Sequence, residues 1–276
     1  MDIIKIKELE QKALELRKTA LTMIFKAQSG HPGGSLSAAD ILAALYFGFM
    51  NINPDDPKWP ERDRFVLSKG HVCPILYSAL LHRGYMDMKH VETLRKQGSI
   101  FQGHPDMKRC PGIDISTGSL GQGISCAVGM ALAGKRDNKD YITYTLLGDG
   151  ECNEGQVWEA AQSANKYELD NLIVFIDNNG LQNDGFTNDI MPTRDLKEKF
   201  EAFGFQAVRI NGHNMAEIVK SIEYMKNQKN KKPKCIVCDT IKGKGVSFME
   251  NIASWHGVAP NQEEYTQALT ELGGLS

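Results

Sequence analysis

Residues 141–180 read YITYTLLGDGECNEGQVWEAAQSANKYELDNLIVFIDNNG, and this stretch decides the fold. The runs Tyr141–Leu147 and Asn171–Ile176 are short, apolar and rich in β-branched or aromatic residues, which is typical of buried strands. The segment between them, Gly155–Tyr167, has the length of a helix. A strand, a helix and a second strand in this order predict two parallel neighbours joined by a right-handed crossover.

The same alternation continues on both sides of this unit. It predicts a strand at Arg64–Ser68 and a helix at Val72–Arg83, then helix Leu196–Phe203, strand Phe205–Ile210, helix Ala216–Lys226, strand Lys234–Thr240 and a last helix at Gln262–Leu272. Strands that alternate with helices predict an α/β fold in which a parallel sheet is flanked by helices. We expect one domain over residues 1–276, with an N-terminal helical extension and a C-terminal loop and helix.

The region before this central unit contains helices as well as irregular segments. Ile3–Gln28 has helical periodicity and is followed by a loop, S-G-H-P-G-G, at residues 29–34. Ser37 with Asp40 three residues later resembles a capping box and predicts that a second helix starts there. Residues 98–123 are long, glycine-rich and irregular, and loops of that length inside a domain are usually functional.

Charge and hydropathy exclude several classes of partner. The 276 residues carry 32 basic and 34 acidic side chains, which gives a net charge of -2. The sequence therefore lacks the excess of basic residues that binding to nucleic acid or an anionic membrane requires. The longest charge-free run, Ile115–Gly134, contains five glycines and is too polar to span a bilayer. The N-terminal MDIIKIKELEQK has no apolar core of the signal-peptide type. We therefore expect a cytoplasmic protein without a nucleic-acid or membrane partner.

The six cysteines do not predict a metal site or a disulfide framework. Four of them are isolated in the sequence, and Cys235 and Cys238 lie within a strand. Residues three apart in a strand point to opposite faces, so these two thiols cannot close a tetrahedral site together. Reduced, buried thiols are expected.

Polar residues follow both strands of the central unit. G-D-G at residues 148–150 ends the first strand, and D-N-N-G at 177–180 ends the second. Ligands of open parallel sheets bind beyond the carboxyl ends of the strands, and neighbouring strands lie about 4.8 Å apart. Asp149 and Asn179 can therefore reach one ion. A carboxylate, an amide oxygen and a backbone carbonyl suit Mg²⁺ or Ca²⁺, and glycines beside Asp149 allow a diphosphate to approach the backbone and helix N-terminus.

This pattern resembles a known fingerprint. GDGECNEG, then 21 residues, then DNNG is similar to the thiamine diphosphate motif, and the details resemble the transketolase family. The similarity runs nearly end to end and covers the N-terminal, diphosphate-binding part of the usual transketolase chain. The supporting segments are S-G-H-P-G-G at 29–34, R-F-V-L-S-K-G-H at 64–71, G-H-P at 103–105, T-G-S-L-G-Q-G at 117–123 and K-G-K-G…S-W-H-G around 242–257.

The resemblance implies a set of ligand-binding residues. Asp149, Asn179 and the Leu181 carbonyl would hold Mg²⁺, for which Ca²⁺ or Mn²⁺ can substitute. One departure is Gly34, where several family members carry a side chain near thiamine, so that any contact there reduces to backbone. The residues that would bind thiamine diphosphate are His71, Gly118, Ser119, Leu120, Gly150, Asn179 and Lys242.

Five of the seven histidines adjoin a glycine, which lets an imidazole project from irregular backbone. A histidine next to glycine is commonly just a loop residue with local bonds, and His213 is interpreted in that way. The resemblance implies that His31, His104 and His256 bind sugar hydroxyls and move protons, work that suits an imidazole.

Glu154 follows the metal-binding loop at the start of a helix. A carboxylate there favours the helix dipole, which is worth about 0.3–1 kcal/mol. The resemblance gives it a second role, because the matching glutamate of transketolases links the two active sites of the dimer.

By the same resemblance the chain is half of an enzyme. The glutamate that activates thiamine diphosphate, and the arginines that hold the sugar phosphate, belong to the family's second domain, which does not follow before Ser276. We therefore expect the N-terminal subunit of a split transketolase, active only with a separate C-terminal subunit that carries the pyrimidine-binding and C-terminal domains. The expected assembly is an α2β2 heterotetramer.

The expected reaction moves a two-carbon ketol unit from a ketose or its phosphate to an aldose or its phosphate, as in the pentose phosphate reactions. Three alternatives stay open: a deoxyxylulose-phosphate-synthase-like reaction, an oxo-acid dehydrogenase α-like subunit, or a non-catalytic subunit that binds the cofactor and regulates a partner. Small residues at helical spacing, Gly121, Ser125 and Gly129, predict a close approach of the partner, unless they pack inside the domain.

Overall fold

Five parallel strands form one sheet in the computed structural model, which describes residues 1–274. The strand order is β1-β2-β3-β5-β4, so the order reverses beyond β3, as in other open α/β sheets. The α/β prediction is confirmed, and every predicted strand is present, with ends that differ from the prediction by at most two residues. The strands are β1 Arg64–Leu67, β2 Thr143–Gly148, β3 Leu172–Asn178, β4 Gln206–Asn211 and β5 Lys234–Asp239.

Helices cover both faces of this sheet. One apolar core lies between the sheet and α1, α3, α4 and α9, and a second lies between the sheet and α5, α6 and α8. A smaller cluster joins α10 to α1 and α2. The helices are α1 Ile3–Ala27, α2 Pro32–Ser37, α3 Ala39–Ala44, α4 Cys73–His82, α5 Gln122–Arg136, α6 Gly155–Lys166, α7 Thr187–Ile190, α8 Leu196–Ala202, α9 Met215–Asn227 and α10 Gln262–Glu271.

Strands β1, β2, β3 and β5 are buried on both faces, as expected of a parallel sheet, whereas the edge strand β4 is partly exposed. Val174 in β3 packs into the core under α5 and α6, whereas its neighbour Phe175 packs into the core under α1 and α4. Cys235 and Cys238 of β5 also enter different cores. The prediction that these two thiols face opposite sides of a strand is thus confirmed.

The capping box predicted at Ser37 is wrong. Helix α2 already begins at Pro32, inside the expected loop, and Ser37 is its last residue. Proline fits the first turn of a helix because its missing N–H would have no partner there. The Ser37 hydroxyl donates to the Asp177 carboxylate instead of capping a helix, and Asp40 forms a buried ion pair with Arg17.

Helix α5 ends the long irregular segment. Gly121, at its N-cap, has a left-handed φ of 81° and is packed against Glu154, and Ser125 accepts a hydrogen bond from Gln156. Packing inside the domain therefore accounts for these two small residues. At Gly129, by contrast, a Cβ would meet no other atom of residues 1–274 within 4 Å. No helix in the described part of the chain is long and apolar enough to cross a membrane.

Candidate cofactor and metal site

The two polar turns meet at the carboxyl edge of the sheet. Strands β2 and β3 are parallel neighbours, and Gly148 is in register with Asp177. The backbone N–H of Asp149 donates to the carbonyl of Asp177 at 3.2 Å, which joins the G-D-G turn to the D-N-N-G turn. The predicted strand–helix–strand unit therefore brings its two polar ends together.

A cavity of about 550 Å³ opens at this edge. Its volume is within the range of small-molecule sites. It lies at the carboxyl ends of the central strands, where the fold class places its ligands. Eleven of the site residues predicted from the sequence line it: His31, His71, Gly118, Leu120, Asp149, Gly150, Glu154, Asn179, Leu181, Lys242 and His256.

Asp149 is a buried carboxylate whose ionised form a cation would stabilise. Its side chain is 2% exposed, and Oδ2 accepts hydrogen bonds from Gly180 N at 3.1 Å and Thr187 Oγ1 at 2.8 Å. Burial raises the pKa of Asp149, and the nearby Asp177 carboxylate raises it further. A cation at this place would offset both effects, since it stabilises the ionised form.

Asn179 and Leu181 present neutral oxygens beside Asp149. Asn179 Oδ1 accepts from Leu181 N at 3.2 Å, and its Nδ2 donates to Asp177. The Leu181 carbonyl already faces a positive charge, because the Lys242 ammonium donates to it at 3.2 Å. One carboxylate and two neutral oxygens are hard donors that fit Mg²⁺. No three His, Cys, Asp or Glu residues cluster as metal ligands within residues 1–274, so a carboxylate-rich or thiolate site is not formed there.

Sequence reasoning missed the buried ion pair beneath this site. Lys69 is 2% exposed, and its ammonium bonds the fully buried carboxylate of Asp177. Ser37 and Thr240 also donate to that carboxylate. Attraction to Lys69 therefore holds the pKa of Asp177 below its usual value despite burial. The only signal in the sequence was the position of Lys69 inside R-F-V-L-S-K-G-H, two residues before His71.

Three of the predicted histidines form one cluster that also lines the cavity. The ring centroid of His31 lies 5.0 Å from that of His71 and 5.4 Å from that of His256, and the last two are 5.3 Å apart. His256 Nδ1 lies 2.8 Å from Lys242 Nζ. Nδ1 of His31 is buried and has no hydrogen-bond partner among the described residues. An orphaned buried nitrogen at a cavity wall fits contact with a ligand.

Burial and neighbouring positive charges keep these imidazoles neutral. They lower the pKa of His31 and His256 to about 4 each and that of His71 to about 2. Burial and Lys69 also lower the pKa of Lys242, to about 8. The three imidazoles therefore stay neutral near pH 7 and keep a lone pair for hydrogen bonding, while Lys242 keeps most of its charge for an anion.

His104 and Ser119 lie outside this cavity. Both line an adjoining pocket of about 420 Å³, which shares Gly118 with it. The His104 ring covers Gly118, where a Cβ would come within 3.1 Å of it. Glycine is favoured at 118, because φ is 159° and the His104 ring leaves little room for a Cβ.

Glu154 and Gly34 also line the cavity. Glu154 is the N-cap residue of α6, its side chain is exposed, and it makes no capping hydrogen bond. Local helix capping therefore does not explain this carboxylate. At Gly34 a Cβ would lie 2.7 Å from Val72 Cγ1, so a side chain there would require Val72 to shift.

Comparison with known proteins agrees with this geometry. The family described as the thiamine diphosphate binding domain of transketolase matches residues 9–275. A 6-deoxy-6-sulfo-D-fructose transketolase subunit from Clostridium sp. (strain MSTE9) is 48% identical, and the alignment covers 96% of both chains. An apulose-4-phosphate transketolase subunit from Phocaeicola vulgatus is 44% identical over 98% of this chain and 95% of its own length.

Solved structures give the same result for the fold. Transketolase from Leishmania mexicana superposes with a TM-score of 0.91 at 34% identity. The superposition covers 96% of this chain but 41% of that protein, so the chain spans about two fifths of the solved enzyme.

Proposed function

This chain belongs to the transketolase family as its thiamine diphosphate-binding domain, and from this membership we propose that it is the N-terminal subunit of a two-chain transketolase. The proposed reaction is transfer of a two-carbon ketol unit from a ketose to an aldose. The observation that carries the proposal is the cavity that has Asp149, Asn179 and Leu181 on one wall and the histidine cluster on another.

Thiamine diphosphate supplies a carbon nucleophile when it is bound. Asp149, Asn179 and the Leu181 carbonyl would hold Mg²⁺, and the ammonium of Lys242 would neutralise diphosphate charge. Gly150 follows Asp149 at the cavity wall and allows the backbone to approach an anion. Gly118, Ser119 and Leu120 would border the rings of the cofactor, with His71 beside the diphosphate.

His31, His104 and His256 would bind sugar hydroxyls and move protons. His31 and His256 are neutral at pH 7, since burial lowers the pKa of each to about 4, and both line the cavity. His104 reaches the same place from the adjoining pocket, across Gly118. A positioned imidazole contributes about 10²–10⁴-fold to proton transfer.

The partner would be a separate C-terminal transketolase subunit, in an α2β2 assembly. Two features support it: the similar proteins named as transketolase subunits match this chain over nearly their whole length, and solved transketolases extend well beyond it. Glu154 lines the cavity and is exposed, and it would reach across the interface and link the two active sites.

Ketol transfer by this chain, with and without the co-expressed C-terminal subunit, tests the proposal. Turnover that needs both chains, thiamine diphosphate and Mg²⁺ would support it. Cofactor binding without turnover on any ketose would favour a non-catalytic subunit, and decarboxylation of an oxo-acid would favour the other enzyme classes. A panel of pentose and heptulose phosphates together with branched and sulfonated ketoses identifies the substrate. A cytoplasmic location stays a prediction that cell fractionation can check.

A further inference from the structure

Glu151 is a buried acid that the proposed chemistry does not use. It lies in the turn after Asp149, its side chain is 3% exposed, and it belongs to the wall of the cofactor cavity. A carboxylate kept in such a place must satisfy its oxygens locally, since an unbonded buried charge is very costly.

Both oxygens of Glu151 are satisfied by donors from three separate elements. Oε1 accepts from the Ser68 hydroxyl, which directly follows β1, and from Gly121 N at 2.9 Å, at the start of α5. Oε2 accepts from Gly148 N at 3.1 Å, at the end of β2. One side chain therefore joins the G-D-G turn to the segment that leads into α5.

The segment held in this way is the one that borders the cavity. Gly118 and Leu120 line it, and Gly121 follows with a left-handed φ of 81°. Helix α5 also packs tightly on Ser68, because a Cβ at Gly123 would lie 2.6 Å from its Cα. The position of residues 118–121 relative to Asp149 thus depends on contacts in which Glu151 is central.

We propose that Glu151 is a positioning residue, which holds the 118–121 segment at the distance from the metal-binding turn that the cofactor requires. It acts through the Gly121 and Gly148 amides and not by contact with the reacting atoms. The inference rests on the proposed function, since residues 118–121 and the turn at 148–150 would both contact the bound cofactor.

Glu151→Gln is the sharpest variant, because it keeps the shape and removes one acceptor. Whichever way the amide is turned, its NH₂ group faces either Gly148 N–H or the Ser68 and Gly121 donors. We expect about tenfold weaker thiamine diphosphate binding by the assembled two-chain enzyme, with kcat at saturating cofactor within about threefold of wild type. The matched control is Glu159→Gln, an exposed glutamate on α6.

Hydrogen–deuterium exchange in the cofactor-free assembly supplies a second readout. In Glu151→Gln, faster exchange should be confined to the peptides that contain the two amides bound by Glu151, those covering residues 115–125 and Gly148. Ser68→Ala should show a smaller change in the peptide that covers residues 115–125. Unchanged exchange there, or faster exchange throughout the chain with unaltered cofactor affinity, would overturn the proposal. A wild-type assembly that does not bind thiamine diphosphate would contradict the proposed function instead, while the exchange result still tests the contact.

Discussion

Lys242 Nζ lies 2.8 Å from Nδ1 of His256, and the same ammonium donates to the carbonyls of Leu181 and Gln182. An ammonium has no lone pair, so Nδ1 of His256 is the acceptor and the ring proton sits on Nε2. One lysine therefore joins the wall proposed for the metal and diphosphate to the wall proposed for the sugar. It also fixes the tautomer of a histidine whose pKa is lowered to about 4.

His31→Ala and His256→Ala should each keep cofactor binding and lose about 10²–10⁴-fold in ketol-transfer rate. Neither imidazole is among the proposed metal ligands, so calorimetry of the assembled enzyme with thiamine diphosphate and Mg²⁺ should resemble that of wild type. Steady-state rates on the best ketose give the loss. His90→Ala, outside the cavity, is the control. Full turnover in either cavity variant would contradict a catalytic role for that histidine.

The histidine cluster should also make the chain acid-sensitive. The pKa values of His31 and His256 fall from 6.5 in the unfolded chain to about 4 in the folded one. Below pH 6.5 these histidines therefore bind protons in the unfolded state but not in the folded state. The free energy of unfolding decreases as the pH falls from 6.5 towards 4. Melting temperatures at about pH 7 and about pH 5 measure the loss. His256→Gln should show a smaller drop than wild type; an identical drop would contradict the lowered pKa.

Asp149→Ala should abolish Mg²⁺-dependent thiamine diphosphate binding and leave the fold intact. The variant removes the only carboxylate of the proposed ligand set, and it also relieves a buried charge whose pKa is raised. Calorimetry of the assembled enzyme measures affinity, and circular dichroism checks the fold. Asp189→Ala, an exposed acid in the neighbouring segment, is the control. Unchanged affinity in Asp149→Ala would show that the metal site is assigned to the wrong residues.

Local and nearest-neighbour features were predictable from the sequence, and long-range ones were not. Asp149 and Asn179 could be brought together because they end consecutive strands, and strand pairing follows from simple geometry. The capping box at Ser37 is absent because the Ser37 hydroxyl donates to Asp177, a partner 140 residues away in the sequence. Glu151 was missed for a similar reason, since its donors come from residues 68, 121 and 148.

The isolated chain should be inactive, bind thiamine diphosphate poorly and self-associate. Ser119 and Gln122, beside the cofactor cavity, are exposed, and a permanent subunit interface commonly buries more than about 2,000 Å². Light scattering, calorimetry and a ketol-transfer assay of the purified chain check the three outcomes, and addition of the C-terminal subunit should restore binding and turnover. Robust activity of the chain alone would contradict the two-chain enzyme.

Gly129→Arg should block assembly with the second subunit without harming this chain. Gly129 is exposed within α5, and a side chain there points into open space among the described residues. Replacing a helical glycine removes a penalty of roughly 0.5–1 kcal/mol relative to alanine, so the melting temperature of the chain should not fall. A charged side chain on a helix that must approach its partner closely should prevent docking.

Lys220→Glu on α9, which covers the opposite face of the sheet, is the control. Analytical ultracentrifugation should show the two-plus-two complex for wild type and Lys220→Glu but separate chains for Gly129→Arg; a normal complex of the arginine variant would place the interface elsewhere.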